Sequence, residues 1–349
     1  MVYQPARQPA SAACPGLRFV RDSALVTRSV GRYMGPMFRH LIQFLERHPA
    51  LLLAIPPLLW SGNHVIGRAV AGEVPPAGLA VVRWAFAVMA LLPFAWPHLV
   101  RDAALVRSRL GTLIFLALTG AGVFGTLQFV ALQYTKALTV AVMNSVAPAF
   151  ILAASFLIFR DRITSMQAGG IIVSIGGVLV IVSRGDLGAL SSLEFNAGDL
   201  LVVFNMMLWA VYSACLRLRP NVHPLTFMLV LSAISGIANI GPAVVEHLAG
   251  LPLPLTWSMV LAALYVGLGT SVLAYIAWTR GVELVGATRA AAFLHLVPIF
   301  GAILAWMFLG EQLALFHVAG FALILCGVSL AARRGRVPAA PASPVQTPP

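Results

Sequence analysis

Long apolar stretches, separated by short segments that contain proline, glycine or charged residues, run through most of the chain. A run of about 17 to 23 apolar residues can cross the hydrocarbon core of a membrane as one α-helix. These runs are too continuous for the alternating pattern of an outer-membrane barrel, and lipid cannot satisfy the edge of an open sheet. The pattern therefore predicts an all-α polytopic membrane protein with ten transmembrane helices, at residues 50–67, 77–96, 110–131, 137–159, 165–182, 200–217, 225–245, 259–279, 287–309 and 313–330.

The composition of the chain agrees with a lipid environment. Hydrophobic residues make up 60% of its 349 residues and charged residues only 10%, so a soluble domain would expose large apolar patches. The 23 Lys and Arg residues exceed the 11 Asp and Glu residues, which can also indicate a nucleic-acid partner. The arginines, however, lie between apolar runs and form no basic stripe. We therefore expect a lipid bilayer, and no nucleic acid, around this chain.

Basic residues are concentrated in alternate connections: before span one, between spans two and three, between spans four and five, after span six and after span ten. Cytoplasmic connections carry the excess of Lys and Arg in membrane proteins. Both termini are therefore predicted to lie in the cytoplasm, with the chain in the inner membrane. Residues 1–48 predict a disordered basic tail, and residues 334–349 predict a second disordered tail.

The second half of the sequence repeats features of the first half. Ala137, Pro148 and Asp161 recur as Ala287, Pro298 and Glu311 at an offset of 150 residues, and Trp60 and Arg68 recur as Trp209 and Arg217 at an offset of 149. Because five helices per repeat is an odd number, the second repeat must enter the membrane from the opposite side. We predict two inverted five-helix repeats, at residues 49–184 and 197–333, an architecture that serves alternating access.

Several short segments carry a resemblance to a known family. They are residues 60–63, 75–76, 82–84, the stretch from 131 to 164, and, in the second half, residues 296–298 and 309–313. On these segments the chain resembles the EamA family of the drug/metabolite transporter superfamily, whose members are ten-helix carriers with two EamA domains. The likeness departs from the family pattern at Asp161, where glutamate is usual, as at Glu311.

The resemblance implies a transporter, and not an enzyme, that exports or exchanges amino acids, nucleosides or similar small metabolites. We expect an inner-membrane exporter of a small metabolite, with an amino acid or a related compound as the foremost candidate. The alternative is a membrane-embedded enzyme, which would need a nucleophile with a base, or metal-binding acids, inside the bilayer. No such motif is recognisable, so we predict no catalytic residue, no metal site and no cofactor. A homodimer is an open alternative for the assembly.

Polar side chains inside the apolar spans are candidates for a substrate site, because an unpartnered polar group in hydrocarbon costs free energy. Seven of them fall in the outer half of their predicted helices: Asn63, His64, Arg83, Gln128, Asn144, Asn205 and Asn239. They predict a wet cavity that opens outward. The alternative interpretation is that they hydrogen-bond one another and hold the helices together.

Arg83 has no carboxylate at matching depth in another predicted span. We predict that it binds a carboxylate of the substrate, or else that its side chain reaches the membrane interface. No span contains a deep Asp or Glu, so only His64 and His295 could titrate near neutral pH and couple transport to protons. Facilitated transport is the alternative. Pro148 and Pro298 are predicted hinges, because proline leaves a helix carbonyl without its partner.

Three aromatic residues, Trp60, Trp209 and Tyr212, lie near the middle of their predicted helices and not at the interfaces, where aromatic belts occur. They are predicted to line a cavity wall that receives an apolar or aromatic side chain, with core packing as the alternative. The predicted substrate-binding set is Trp60, Asn63, His64, Arg83, Asn144, Trp209, Tyr212 and His295.

Two groups of small residues lie inside apolar spans. Gly120, Gly122 and Gly125 match the spacing of a dinucleotide-binding fingerprint, but no strand precedes them. Gly170, Ser174 and Gly177 form a stripe along the fifth span. Both groups are therefore predicted to let helices approach closely.

Overall fold

The computed structural model describes residues 43–161, 163–186, 196–285 and 292–332, and within these ranges the apolar runs form ten helices with no β-strand. Seven helices are long and apolar enough to cross a membrane, and three shorter apolar helices complete the ten. The chain is an all-α polytopic protein, as the hydropathy pattern predicts. The predicted tails fall largely on residues 1–42 and 333–349, which lie outside the described residues.

The helices of the first half are α1 (Pro49–Ala69), α2 (Pro76–Ser108), α3 (Leu110–Tyr134), α4 (Ala137–Phe159) and α5 (Ser165–Val182). Those of the second half are α6 (Ala197–Leu218), α7 (Pro224–Leu248), α8 (Trp257–Leu264, Tyr265–Leu273 and Ala274–Val285 in continuous sequence), α9 (Ala292–His295 followed by Leu296–Leu309) and α10 (Leu315–Ala332). We call the face at which α1 begins the near face, and the face at which α1 ends the far face.

Equivalent helices of the two halves are interrupted in the same way. The interruptions are π-helical at Leu118–Gly122 in α3 and Tyr265–Leu273 in α8, and 3-10 helical at Asn144–Val146 in α4 and Ala292–His295 in α9. The 3-10 turns lie just before Pro148 and Pro298, whose missing amide hydrogens disturb the preceding turn of the helix. The repeat in the sequence is therefore also a repeat of local backbone irregularities.

Helix packing has two-fold symmetry between the halves. α1 packs against α8 and α9, and α6 packs in the same way against α3 and α4. The contact of α2 with α8 is mirrored by that of α7 with α3, while α2 packs on α7 and α5 on α10. Every main contact thus has an equivalent in the other half, which is the arrangement of two five-helix repeats.

The α5–α10 pair is in contact backbone to backbone. A Cβ atom added to Gly177 would lie 2.7 Å from the carbonyl oxygen of Gly320, and one added to Gly327 would lie 2.5 Å from that of Gly170. The hydroxyl of Ser174 lies 3.5 Å from the carbonyl oxygen of Ile324. The predicted packing role of the stripe on α5 is confirmed.

Carboxylates from one half cap helices of the other half. Glu246, near the end of α7, accepts hydrogen bonds of 2.9 Å from the backbone amides of Ala77 and Gly78 at the start of α2, on the far face. Asp102, near the end of α2, accepts a 2.8 Å hydrogen bond from the amide of His223, which precedes α7 on the near face. These interactions satisfy helix N-terminal amides and favour the helix dipole.

Candidate functional site

Two residues in the π-helical part of α8, Thr270 and Ser271, contact α1 and α2. The hydroxyls of Thr270 and Ser271 both donate to the carbonyl oxygen of Val266, at 2.7 Å and 3.0 Å. The carbonyl oxygen of Thr270 accepts from the indole nitrogen of Trp60 at 3.3 Å, and the hydroxyl oxygen of Ser271 accepts from Nε of Arg83 at 3.0 Å. The extra residue of a π-bulge often marks functional sites in helices.

Arg83 is half-buried between α2, α3 and α8. Its guanidinium carbon lies 4.6 Å from the ring centroid of Trp84 and 5.8 Å from that of Phe129. A Cβ atom on Gly125 would lie 3.3 Å from Nη1 of Arg83, so the absence of a side chain there gives the guanidinium room. The ion pairs among the described residues are Asp161–Arg217 and Glu46–Arg280, so no described carboxylate neutralises Arg83.

Trp60 belongs to an aromatic cluster that adjoins this arginine site. Its ring centroid lies 6.1 Å from that of Tyr275 in an edge-on arrangement, and 5.9 Å from that of Trp278. Both partners are on α8, on the turns that follow Ser271. Such a cluster offers π faces and apolar edges to a ligand.

A second polar group lies on α1 and α4. The side-chain amide nitrogen of Asn144 lies 3.0 Å from Nε2 of His64, at the 3-10 turn of α4. Four buried polar atoms here have no hydrogen-bond partner among the described residues: Oδ1 of Asn63, Nδ1 of His64, Oδ1 of Asn144 and the hydroxyl of Ser145. Because Asn63 and His64 follow Trp60 by three and four residues, they lie on the same side of α1. Buried polar atoms without partners are costly unless a ligand or water satisfies them.

The other predicted polar residues also make hydrogen bonds between helices. The side-chain amide of Asn205 donates to Oε1 of Gln128 at 2.9 Å, between α6 and α3. Asn239 on α7 pairs with the hydroxyl of Thr126 on α3. These are the interhelical hydrogen bonds of the alternative interpretation, but Nε2 of Gln128 and Oδ1 of Asn205 find no partner among the described residues. The outward cavity therefore stays a prediction.

Trp209 and Tyr212 make ring contacts with each other, and Tyr212 also lies near Tyr275, which contacts Trp60. The Trp209 ring centroid is 5.0 Å from that of Phe124 and 5.2 Å from that of Tyr212. Tyr212 is buried against the π turn of α3, where a Cβ atom on Gly120 would lie 2.3 Å from its ring. Gly120, which belongs to the glycine group with the dinucleotide-binding spacing, thus serves helix packing, as predicted.

His295 ends the 3-10 turn of α9 and is half-buried, and within the described part of the chain it makes no hydrogen bond. Close to it, the carbonyl oxygen of Val297 accepts from the hydroxyl of Ser61 at 2.8 Å, and Pro298 is buried. The structure thus places His295 beside the α1–α9 contact, with its role in binding still a prediction.

Ser271, Tyr275, Trp278 and Ser145 are site residues that the sequence did not single out. The sequence gives little evidence for them, because serines and aromatic residues are common in apolar helices. Only the π-helical geometry of α8 directs Ser271 to Arg83. The residues that the structure describes contain no group of three or more metal-ligating side chains.

Comparison with known proteins identifies a family that the chain matches. The model of the EamA-like transporter family matches residues 48–183 and again residues 196–333. The chain is 29% identical to an uncharacterized transporter of Archaeoglobus fulgidus over 293 residues, which cover 80% of this chain and 96% of that protein. It is 28% identical to the uncharacterized transporter YyaM of Bacillus subtilis, covering 64% of this chain and 74% of YyaM.

Another relative is a probable terminal-alkyne amino-acid exporter of Streptantibioticus cattleyicolor, which is 28% identical over 74% of this chain and 84% of that protein. A solved crystal structure superposes with a TM-score of 0.50 at 17% identity, over 82% of this chain and 98% of the other, and so shares the fold. The names of the family and of these relatives point to transporters and not to enzymes.

Proposed function

Because the chain belongs to the EamA-like transporter family, we propose that it exports an amino acid, or a closely related carboxylate, across the inner membrane by alternating access. In this proposal the near face is cytoplasmic and the far face lies outside. The observation that carries the proposal is the half-buried guanidinium of Arg83, which contacts Ser271 and has no described carboxylate as a partner.

Arg83 supplies the binding site for the carboxylate of the substrate. A guanidinium binds a carboxylate with two parallel charge-assisted hydrogen bonds, and in a site shielded from water these bonds are strong. Nε of Arg83 is used by Ser271, which fixes the plane of the guanidinium at 3.0 Å. The terminal nitrogens remain for the substrate, next to the space left by Gly125.

The buried carbonyl oxygens of Asn63 and Asn144 supply acceptors for a substrate ammonium group. Neither oxygen has a hydrogen-bond partner in the part of the chain that the structure describes, and an ammonium has only donors to offer. The aromatic cluster of Trp60, Tyr275 and Trp278 supplies the wall for an apolar or aromatic side chain. A carboxylate, an ammonium and an apolar side chain together describe an amino acid.

The name of the Streptantibioticus relative, a probable amino-acid exporter, supports the same substrate class and the same direction. Facilitated transport is the simpler coupling, because no carboxylate among the described residues pairs with Arg83. His64 is the alternative, and a proton gradient that accelerates uptake only while His64 is intact would favour that version.

The test is counterflow uptake of an amino-acid mixture into proteoliposomes, read by mass spectrometry. Arg83→Lys and Arg83→Ala should each lower the transport efficiency about 10- to 100-fold, because a charge-assisted contact of about 1.5 to 3 kcal/mol is weakened or lost. The control is Arg107→Ala, which changes an exposed arginine at the near end of α2 and should leave uptake unchanged.

A substrate series provides an independent check. The amide and the methyl ester of a transported amino acid should compete at least about tenfold more weakly than the free acid, because they lack the charge that Arg83 binds. Equal competition by the free acid and its amide, together with wild-type transport by Arg83→Ala, would exclude the carboxylate site.

A further inference from the structure

The repeat-equivalent carboxylates Asp161 and Glu311 have different kinds of partner at opposite faces. On the far face, Glu311 accepts hydrogen bonds from the backbone amides of Ala137 at 3.0 Å and of Leu138 at 2.9 Å, at the start of α4. On the near face, Asp161 accepts two hydrogen bonds from Arg217, at 2.5 Å and 3.3 Å. Within the described ranges, which omit residues 286–291 at the start of the repeat-equivalent helix, Glu311 caps a helix and Asp161 forms an ion pair.

The repeat-equivalent arginines Arg68 and Arg217 differ in the matching way. Nη1 of Arg68 donates to the carbonyl oxygens of Leu132 at 2.8 Å and Gln133 at 3.1 Å, at the end of α3. Arg217 binds Asp161 and lies 3.9 Å over the ring of Phe159. On the far face both charged side chains hold the α3–α4 turn, whereas on the near face the two equivalent side chains hold each other.

The two arrangements also differ in exposure. The side chains of Arg217 and Asp161 are 44% and 43% exposed, whereas the contacts of Arg68 and Glu311 are partly buried. A carboxylate on helix amides and a guanidinium on helix carbonyls both complement the helix dipole. The hydrogen bond from Arg217 holds the pKa of the Asp161 carboxyl below its ordinary value, so the exposed pair is ionised at neutral pH.

A neighbouring pair of carboxylates makes the same kind of contact at both faces. Glu246 caps α2 on the far face, and Asp102 binds the amide that precedes α7 on the near face. Among the described residues, Arg68, Glu311, Asp161 and Arg217 by contrast have different kinds of partner at the two faces.

We propose that these four residues exchange partners during alternating access, an inference that rests on the proposed function. The structure is the state closed at the far face, in which Glu311 and Arg68 clasp the α3–α4 turn. When the far face opens, Glu311 leaves the amides of α4 and pairs with Arg68, and the Asp161–Arg217 pair separates at the near face. An inverted repeat makes the two states mirror each other, so one ion pair marks each open face.

The experiment measures the opening of the far face without a substrate. Spin labels are placed at Tyr134→Cys and Leu313→Cys, which are 60% and 57% exposed beside the α3–α4 and α9–α10 turns. The native cysteines are replaced by serine, and the distance distribution is recorded by pulsed electron paramagnetic resonance in liposomes. A longer distance between the labels reports an open far face.

Two charge swaps should act in opposite directions. Arg68→Glu with Glu311→Arg preserves an ion pair between these residues but puts the wrong charge on both helix ends, so it should raise the ratio of long to short distances about tenfold. Asp161→Arg with Arg217→Asp preserves the near-face pair and should keep the ratio at or below that of the parent. Glu246→Gln, which changes a far-face cap outside the four residues, is the control and should leave the ratio unchanged.

The proposal is overturned if the first swap keeps the short distance, or if both swaps raise the ratio alike. Should the first swap fail to fold, Arg217→Gln replaces it. This exposed substitution removes the near-face pair together with the contact on Phe159. It should raise the ratio, and no rise would equally overturn the proposal. If the two swaps shift the distance ratio in opposite directions but the protein transports no amino acid, only the proposed substrate is refuted. If transport depends on Arg83 but both swaps change the ratio in the same way, only the partner exchange is refuted.

Discussion

The helices α3 and α8 occupy equivalent places in the two repeats and share a π-helical interruption, yet different side chains pack beside the two interruptions. Beside α8, Ser271 contacts Arg83, and Trp60 packs on the aromatic residues that follow. Beside α3, the ring of Tyr212 fills the space next to Gly120 and packs on Trp209. The same backbone device thus supports a polar site in one half and a packed core in the other, and the side chains decide which.

This comparison explains why the site is asymmetric in a symmetric scaffold. A substrate molecule has no two-fold axis, so the two halves must present different groups to it. The repeat conserves the irregular backbone, which both halves need in order to bend. The proposed site lies where Arg83 enters from α2, whereas the buried ring of Tyr212 packs against the π turn of α3.

The largest effect is expected where α8 touches α2. A Cβ atom on Gly267 would lie 2.7 Å from the backbone oxygen of Arg83, so Gly267→Ala must push α2 away and should lower transport at least about 100-fold. A Cβ atom on Gly269, in the same π stretch, would meet Leu59 only at 3.7 Å, so Gly269→Ala should retain transport. Uptake rates and melting temperatures in detergent check both; equal behaviour of the two would refute the α2–α8 constraint.

A smaller effect should separate the two equivalent tryptophans. Trp60→Ala should change the ratio of uptake of aromatic to small amino acids about tenfold, because the wall that contacts the substrate side chain is lost. Trp209→Ala should lower the melting temperature by several degrees and leave that ratio unchanged, since Trp209 packs on Phe124 and Tyr212. A changed substrate ratio in Trp209→Ala would show that both halves line the site.

The smallest effect concerns the contact that fixes Arg83. Ser271→Ala removes the hydrogen bond to Arg83, worth about 1 kcal/mol, and a bond to Val266 within its own helix. It should raise the KM of uptake about fivefold with little change in folding. Thr119→Ala, in the π stretch of α3, removes only a hydroxyl that donates to the carbonyl oxygen of Phe115 in its own helix. That control should leave KM unchanged, and a KM that stays constant in Ser271→Ala would remove Ser271 from the site.

The fold was largely predictable because lipid imposes simple rules. Ten apolar runs became ten helices in the described part of the chain. The extent of α2 was less predictable: the predicted span ends at residue 96, whereas the helix continues to Ser108 through Pro93 and Pro97. Hydropathy locates the membrane core and does not report how far a helix extends beyond it.

The site was predictable only in part. Arg83, His64 and Asn144 were identifiable because charge and amide groups are costly in hydrocarbon. The cost alone does not distinguish a group that waits for a ligand from one that is satisfied by a neighbour. Asn205 donates to Gln128 across two helices distant in sequence, and no local pattern records that pairing.

The reciprocal caps of α2 and α7 bear on how such a chain could have originated. Glu246 completes a helix of the first half, and Asp102 the backbone that leads into a helix of the second. A five-helix ancestor standing alone would have lacked both, unless a second copy was inserted upside down beside it. Duplication and fusion would then have joined two oppositely oriented copies of the five-helix unit in one chain. Separately expressed halves should therefore assemble only when they are made together.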